Sequence, residues 1–365
     1  MQPAPIQAQW HGYPGSMGAS FVHYMGTDPT TTPPEHVELY DERLWMVHGS
    51  YMLNHHRESR FEALQMTSAD GQCLHQGLTR EGLGAYLRQH GAGLFYFDAD
   101  GFNKTLEGFS KDDVVLCCWN TVLKADPRTL HSWIRTLRSV PRARLWLMQF
   151  DPTAPPNLAL LAAESGVDPQ RIAWSTFFSK DIEFLVKGLA DIFLDTPNFN
   201  AHTTGVDALW SNTPILTTPG GEFSARVAAG LVAAVSPLQV LYPRGSSRSG
   251  FLFPAHTPLP FPPLTSVCPS QRNMTITRNS DDYQDTMMAL ATSESQRRLL
   301  RADLDAARRA VTPVSHGRPT VDATTGNLFE GARWVRSWES ALRRAVEIEI
   351  LSLPPMHLSP GPVLL

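Results

Sequence analysis

The stretch Leu194-Asp195-Thr196-Pro197-Asn198-Phe199-Asn200-Ala201-His202-Thr203-Thr204-Gly205-Val206-Asp207 carries residue types that can handle a phosphorylated sugar. It follows an apolar run that reads as a strand and opens a segment that reads as a helix. Amides at a helix N-terminus have no intrahelical partner and attract phosphate. Thr203 and Thr204 fall at or beside the N-cap, where their hydroxyls add donors. His202 stands just before them, facing the strand ends, and Asp207 lies about one turn into the helix, where a carboxylate can accept from sugar hydroxyls. The same residues have a plainer reading: two threonines that cap a helix, and a partly buried imidazole bonded to a backbone carbonyl. Local chemistry alone favours the plainer one.

The elements that must position these residues are legible on both sides. Val114-Val115-Leu116-Cys117-Cys118-Trp119 is a continuous apolar run, as expected of a strand covered on both faces. Asp126-Pro127 then signals a helix start, followed by Leu130, Trp133, Ile134 and Leu137 at helical spacing. Further strands are predicted at 143–148, 171–174, 191–195 and 214–217, with helices at 157–165, 181–189, 205–210 and 225–234. This alternation predicts an α/β fold with a parallel sheet, whose ligands bind outside the carboxyl ends of the strands. Before it, the first thirty-five residues read as loops around one short strand or helix, and 61–110 as a loop-rich connection with one short helix near 80–90. After it, eight prolines between Pro237 and Pro269 predict a disordered insertion. Residues 280–310 read as helical. Their run Arg297, Arg298, Arg301, Arg308 and Arg309, interleaved with Asp303 and Asp305, reads as a solvated face. Residues 331–350 read as an amphipathic helix carrying Trp334, Trp338 and Leu342, and the tail from Ser352 as loose.

Composition narrows the function. The 365 residues carry a net charge of −4, with no basic excess to neutralise a polyanion, so nucleic acid is not an expected partner. No run approaches the roughly 18–20 apolar residues of a membrane span, and the amino terminus spells no secretory signal. Cys73, Cys117, Cys118 and Cys268 show neither a zinc-site spacing nor a disulfide framework, which points to a reducing cytoplasmic or nuclear location. Asp98-Ala99-Asp100 has the spelling of a metal-binding acidic pair but reads as a turn, and Asp112-Asp113 as a solvated strand entrance. No metal or cofactor is expected.

The segment HTTGVDALW, His202 to Trp210, resembles the nucleotide-sugar signature of protein O-GlcNAc transferases, nucleocytoplasmic enzymes with a two-lobed GT-B catalytic core. Other matches follow in the same order. Pro3-Ala4-Pro5-Ile6-Gln7 with Trp10, Gly12-Tyr13-Pro14-Gly15 and Gly18 is similar to the family, as are Tyr24 and Thr27-Asp28. So are Asn120 with Lys124-Ala125-Asp126-Pro127, Val140-Pro141, Leu145-Trp146-Leu147, Leu189-Ala190-Asp191, Leu194-Asp195-Thr196 and Arg226-Val227-Ala228. The resemblance implies a GT-B-like α/β fold with one near-complete Rossmann-like donor lobe and part of the first lobe. Residues 1–110 would be a first-lobe remnant and connector, 111–235 the nucleotide-sugar lobe, 236–272 an insertion, 273–351 helices packed on the lobes, and 352–365 a tail. It implies transfer of GlcNAc from UDP-GlcNAc to Ser or Thr hydroxyls of proteins, with inversion. Lys124 matches the lysine on the donor diphosphate, Lys180 a lysine near the uridine, and His202, Thr203 and Thr204 the residues around the phosphates. Asp207 matches the ribose-binding aspartate, and Gly12 the point where backbone approaches the sugar.

The chain also departs from the family's pattern. Glu183 stands where the family packs a histidine on the uracil, Thr121 and Leu123 replace a glutamine and a tyrosine, and His11 replaces a leucine beside Gly12. A carboxylate stacks poorly, which leaves room for a relative using GDP-fucose, as in protein O-fucosyltransferases of this architecture. The intact HTTG and His202 favour the GlcNAc type. A third alternative is an inactive lobe that binds a nucleotide or a partner protein. No repeat of about 34 residues is present, so the family's tetratricopeptide array is not expected here. Most of the first lobe lies upstream of the family's matching Pro-Ala-Pro-Ile-Gln, and a sheet cut there predicts an exposed strand edge and apolar surface.

Overall fold

The structure is a computed structural model that describes residues 3–59, 78–235, 275–309, 314–315, 318–319 and 328–358. The proline-rich stretch 236–272 lies outside the described residues. Two sheets organise most of the rest, besides a two-stranded antiparallel pair of Val314–Ser315 with Arg318–Pro319.

The smaller sheet is parallel, in the order β1 (Ala8–Gln9), β2 (Tyr24–Thr27) and β3 (Arg43–Met46). Such short strands leave little periodicity to read, so the sequence suggests loops around one short strand or helix over the first thirty-five residues, where the structure has two strands. Their stability comes from distant partners. Leu358 pairs beside β3, its amide donating to Leu44 O and its carbonyl accepting from Met46 N at 2.8 Å each. His357 Nδ1 accepts from Leu44 N. Residues 357–358 are therefore buried against the sheet instead of loose, while 359–365 lie outside the described residues. Trp45 stacks on Trp338 at 4.4 Å, and a Cβ on Gly26 would meet Trp10 and Trp338 at 2.9 Å, so only glycine admits this packing.

The larger sheet has seven strands. In chain order these are β4 (Leu94–Phe97), β5 (Asn103–Thr105), β6 (Val114–Cys118), β7 (Ala143–Met148), β8 (Ile172–Ser175), β9 (Ile192–Leu194) and β10 (Ile215–Leu216). Their spatial order is β10-β9-β6-β7-β8-β4-β5. From β10 to β8 every pairing is parallel, as the alternation predicts. The hairpin of β4 and β5 then extends the sheet antiparallel, pairing with β8. Residues 94–105, which read from sequence as connector, thus belong to the same sheet. Asp98 Oδ1 accepts from the amides of Asp100 and Phe102, and Gly101 takes a positive φ of 80°, so the acidic pair forms the hairpin turn.

Ten helices surround the sheets among the described residues: α1 (His56–Ser59), α2 (Leu83–Gln89), α3 (Pro127–Ser139), α4 (Ala154–Glu164), α5 (Glu183–Lys187), α6 (Thr203–Trp210), α7 (Val227–Val235), α8 (Ser280–Thr292), α9 (Glu294–Arg309) and α10 (Gly331–Ile350). The start of α3 follows the sequence signal: Asp126 caps it by accepting from Thr129 N at 2.7 Å, with Pro127 in the first turn. The single helix expected over 280–310 is two, broken at Ser293.

The arginine run on α9 forms a solvated face only in part: Arg298, Arg309 and Asp303 are exposed, but the others are not. Arg297, Arg301, Arg308 and Asp305 are buried. Arg297 donates to the carbonyls of Leu290 and Ala291, and Arg301 to those of Gly188 and Ala190. These guanidiniums satisfy carbonyls that helix ends leave without partners, a role charge spacing does not reveal. Arg308 packs over the Trp210 ring at 5.7 Å and pairs with Asp305. On α10, Ala341, Ala345 and Ile348 face the core, and Leu342, expected on that face, is 44% exposed.

Candidate functional site

Strands β6, β8 and β9 run in parallel, so the segments that follow them emerge on one side. The turn after β9 is built on a polar core. Asp195, fully buried, accepts from Ala201 N and Thr217 Oγ1 at 2.7 Å each. Burial pushes its carboxyl up to about 7, against the hydrogen bonds that favour its charge. Asn120, just after β6, donates to Thr196 Oγ1 at 2.8 Å, and Asn200 Nδ2 donates to Thr196 O at 3.1 Å. Asn198 reaches back to the α3 cap, Asp126, at 2.8 Å. Together these bonds fix residues 195–201 and so aim His202 and the mouth of α6.

His202 is itself the N-cap of α6, without a side-chain capping bond. Neither threonine caps: Thr203 and Thr204 are the first two residues of the helix. The carbonyl of His202 accepts from Gly205 N and Val206 N. Thr203 is exposed and Thr204 half-buried, so the mouth is open. The plainer reading of His202 holds in one respect, since its Nε2 lies 3.3 Å from the Ser224 carbonyl. A carbonyl only accepts, so Nε2 carries the proton and Nδ1 the lone pair. Burial, aided by the positive charge of Lys124, pulls the imidazole down to about 4, and it is neutral across the physiological range.

Lys124, in the turn after β6, meets the same cluster. Its Nζ donates to Asn200 O at 3.3 Å and sits 4.2 Å from the centre of the Phe199 ring. That ring stacks on His202 at 5.0 Å. Desolvation lowers the lysine's pKa from its ordinary value, with Asp195 opposing. From the amino-terminal side, Gly12, His11 and Tyr13 close a cavity of about 160 Å³ with Tyr51, His202 and Thr203. A Cβ on Gly12 would meet nothing within 4 Å, so the backbone there faces open space. His11 is exposed and adopts a φ of 60°. Arg226 ties together the segments that follow β2 and β10, donating to Thr30 O from one and to Gly220 O from the other.

Asp207, one turn along α6, forms a second cluster. Its Oδ1 is 2.7 Å from His56 Nε2 and its Oδ2 3.5 Å from Lys187 Nζ. Although burial raises its pKa, His56, Lys187 and Lys180 together bring it below the usual carboxylate value. Lys180 is exposed and acts on Asp207 through its charge. Lys187 is buried and also holds Glu183. Glu183, which reads from sequence as a poor substitute for a stacking ring, thus acts electrostatically by neutralising a buried ammonium. Lys124, Thr204, Lys180 and Asp207 do not line the Gly12–His202 cavity. The site is a pocket at the helix mouth, with Lys124 to one side and the Asp207 cluster one turn on.

Comparison with known proteins decides the family. The profile of glycosyl transferase family 41 matches residues 1–72 and 103–242, more than half of the sequence. The chain belongs to this family. Among family 41 relatives, "Probable UDP-N-acetylglucosamine--peptide N-acetylglucosaminyltransferase SEC" of Arabidopsis thaliana is 29% identical over 234 residues, covering 64% of this chain and 21% of the relative. The "UDP-N-acetylglucosamine--peptide N-acetylglucosaminyltransferase" of Caenorhabditis elegans is 26% identical over 309 residues, covering 64% and 27%. The chain thus spans well under half the length of the curated relatives it matches. An O-GlcNAc transferase variant from Thermobaculum terrenum shares the fold, with a TM-score of 0.57 at 20% identity over 94% of this chain and 50% of that one. The family 41 match bears out the resemblance read from HTTGVDALW and its companions, and the fold is GT-B-like α/β.

Sequence reasoning does not single out His56, Phe199, Asn120 or Asp195 as site residues. Asp195, Asn120 and Phe199 carry a signal, as parts of the site-bearing or family-like segments, and Phe199 stacks on His202 three residues on; His56 acts through a partner 151 residues away.

The neutral His202 gives a pH prediction. Its folded pKa is depressed, so the unfolded state binds the extra proton. Its contribution is present above about 6.5, the ordinary histidine value, and is lost as pH falls toward 4. Asp195 opposes this: its raised pKa favours the folded state at low pH, and that contribution is lost as pH rises through 7. A His202→Asn variant is therefore expected to lose less stability than the parent between pH 6.5 and 4, read from urea midpoints. An identical decline in both would show that His202 does not titrate in this way.

Proposed function

We propose that this chain binds UDP-GlcNAc at the α6 mouth and takes part in transferring GlcNAc, with inversion, to Ser or Thr hydroxyls of proteins. The bond from the anomeric carbon to the diphosphate breaks as the acceptor oxygen attacks the opposite face; UDP leaves, and the acceptor's hydroxyl proton is released to solvent. Negative charge builds on the diphosphate. The amides of Thr203 and Thr204 and the positive end of α6 face it, and Lys124 supplies the cation beside them; this serves where other enzymes use a metal. His202 offers the Nδ1 lone pair to a hydroxyl or protonated group, while Asp207 and Lys180 hold the ribose and uridine. Gly12 lets backbone approach the sugar. We place the reaction in the cytoplasm or nucleus, in keeping with the cysteine pattern.

The observation that carries this reading is the convergence of Gly12, His202 and Thr203 on one cavity, with Lys124 seated on the Phe199 ring that stacks on His202. The test supplies labelled UDP-GlcNAc or labelled GDP-fucose with a protein acceptor. Label is expected from UDP-GlcNAc alone. Label from GDP-fucose would transfer the assignment to a fucosyl donor, and saturable UDP binding without label from either would reduce the chain to a nucleotide-binding lobe.

A further inference from the structure

The Asp207 cluster has a feature that the donor reading leaves unused. His56 comes from the amino-terminal segment, not from the α/β lobe, yet its ring is nine-tenths buried against the candidate ribose carboxylate. Its helix, α1, has four residues, too few to be stable alone. Long-range bonds hold it in place. Arg57 donates to Phe329 O and to Arg308 O at 3.0 Å each, and Asn54 Nδ2 donates to Leu328 O at 2.8 Å. Phe184 and Trp210 meet the His56 ring edge-on at 5.3 and 6.0 Å. The bond to the carboxylate puts the proton on Nε2, since a carboxylate only accepts. The other nitrogen, Nδ1, is buried without a partner among the described residues. Hydrogen bonds to two distant segments and ring contacts from two helices thus present Nε2–H to Asp207.

We propose that His56 is a positioning residue for the nucleoside diol. Its Nε2–H holds Asp207 Oδ1 while Lys187 holds Oδ2, which leaves the remaining lone pairs of the carboxylate to accept the 2′- and 3′-hydroxyls. The amino-terminal segment thereby sets nucleoside affinity in the α/β lobe. This rests on the assignment of Asp207 to the ribose.

The experiment titrates UDP and 2′,3′-dideoxyuridine 5′-diphosphate, by calorimetry, into the parent, His56→Phe and His56→Gln. Phenylalanine keeps the aromatic packing and removes the donor; glutamine keeps a donor within reach. The parent is expected to prefer UDP about tenfold or more. His56→Phe is expected to lose about tenfold in UDP affinity, with binding of the dideoxy compound unchanged, and His56→Gln to recover part of the loss. A purely structural role would weaken both ligands equally, and that result overturns the proposal, as does full discrimination retained in His56→Phe. A parent that binds both compounds equally overturns the ribose assignment of Asp207 itself, which separates that failure from the failure of His56.

Discussion

Lys124→Met is expected to lower GlcNAc transfer by about 100- to 1,000-fold, the usual loss when one pre-placed stabiliser of developing charge is removed. The lysine sits 4.2 Å over Phe199, which stacks on His202, so the ammonium is beside the helix mouth before any ligand arrives. Methionine keeps most of the apolar stem against the ring. Apart from that ring, the head of Lys124 bonds one backbone carbonyl, Asn200 O at 3.3 Å, so its loss should leave the fold intact. The effect should fall mainly on turnover, since charge on the diphosphate grows as the sugar departs. Initial rates over a range of donor concentrations check this. A change confined to KM would mean that Lys124 merely binds the ground state.

The largest expected effect on stability lies at Trp146, in the middle of β7. Its ring is fully buried, meets Trp119 edge-on at 5.7 Å and lies 5.6 Å from Phe109. Its indole N–H donates to Ser175 Oγ on β8 at 3.1 Å. Trp146→Ala opens a cavity under the site-bearing sheet and leaves that hydroxyl without its donor. A cost of about 3–5 kcal/mol is expected, a large part of a domain's total stability. Urea unfolding at constant m-value measures it. A loss under about 1 kcal/mol would show that the centre of the sheet is not packed around this ring.

Both predictions fall in the most legible part of the chain. From Val114 to Val235, buried parallel strands spell continuous apolar runs, and Asp126-Pro127 marks a helix start that the structure reproduces. The amino-terminal sheet is illegible for a physical reason: strands of two to four residues hold their register through Leu358, His357 and Trp338, more than 290 residues away. The β4–β5 hairpin shows an intermediate case. Its apolar run and the Asp98–Gly101 turn are visible, but pairing with β8 depends on a partner about 80 residues on. On α9, charge spacing misleads because buried guanidiniums can be satisfied by carbonyls alone. At the site, His202, Thr203, Thr204 and Asp207 are legible as one segment, whereas His56 comes from 151 residues away. Glu183 illustrates the limit of reading a residue by its family position: its carboxylate answers a buried lysine four residues on.

Whether residues 202–207 hold the nucleotide sugar is decided by titrating UDP into the parent and into His202→Ala, by calorimetry at neutral pH. If the α6 mouth holds the diphosphate, the parent binds UDP saturably and the variant binds it about tenfold more weakly, because the imidazole that stacks on Phe199 beside Lys124 and lines the cavity with Thr203 no longer holds the mouth in place. Equal affinity in the two proteins, or no saturable binding in the parent, would contradict that assignment.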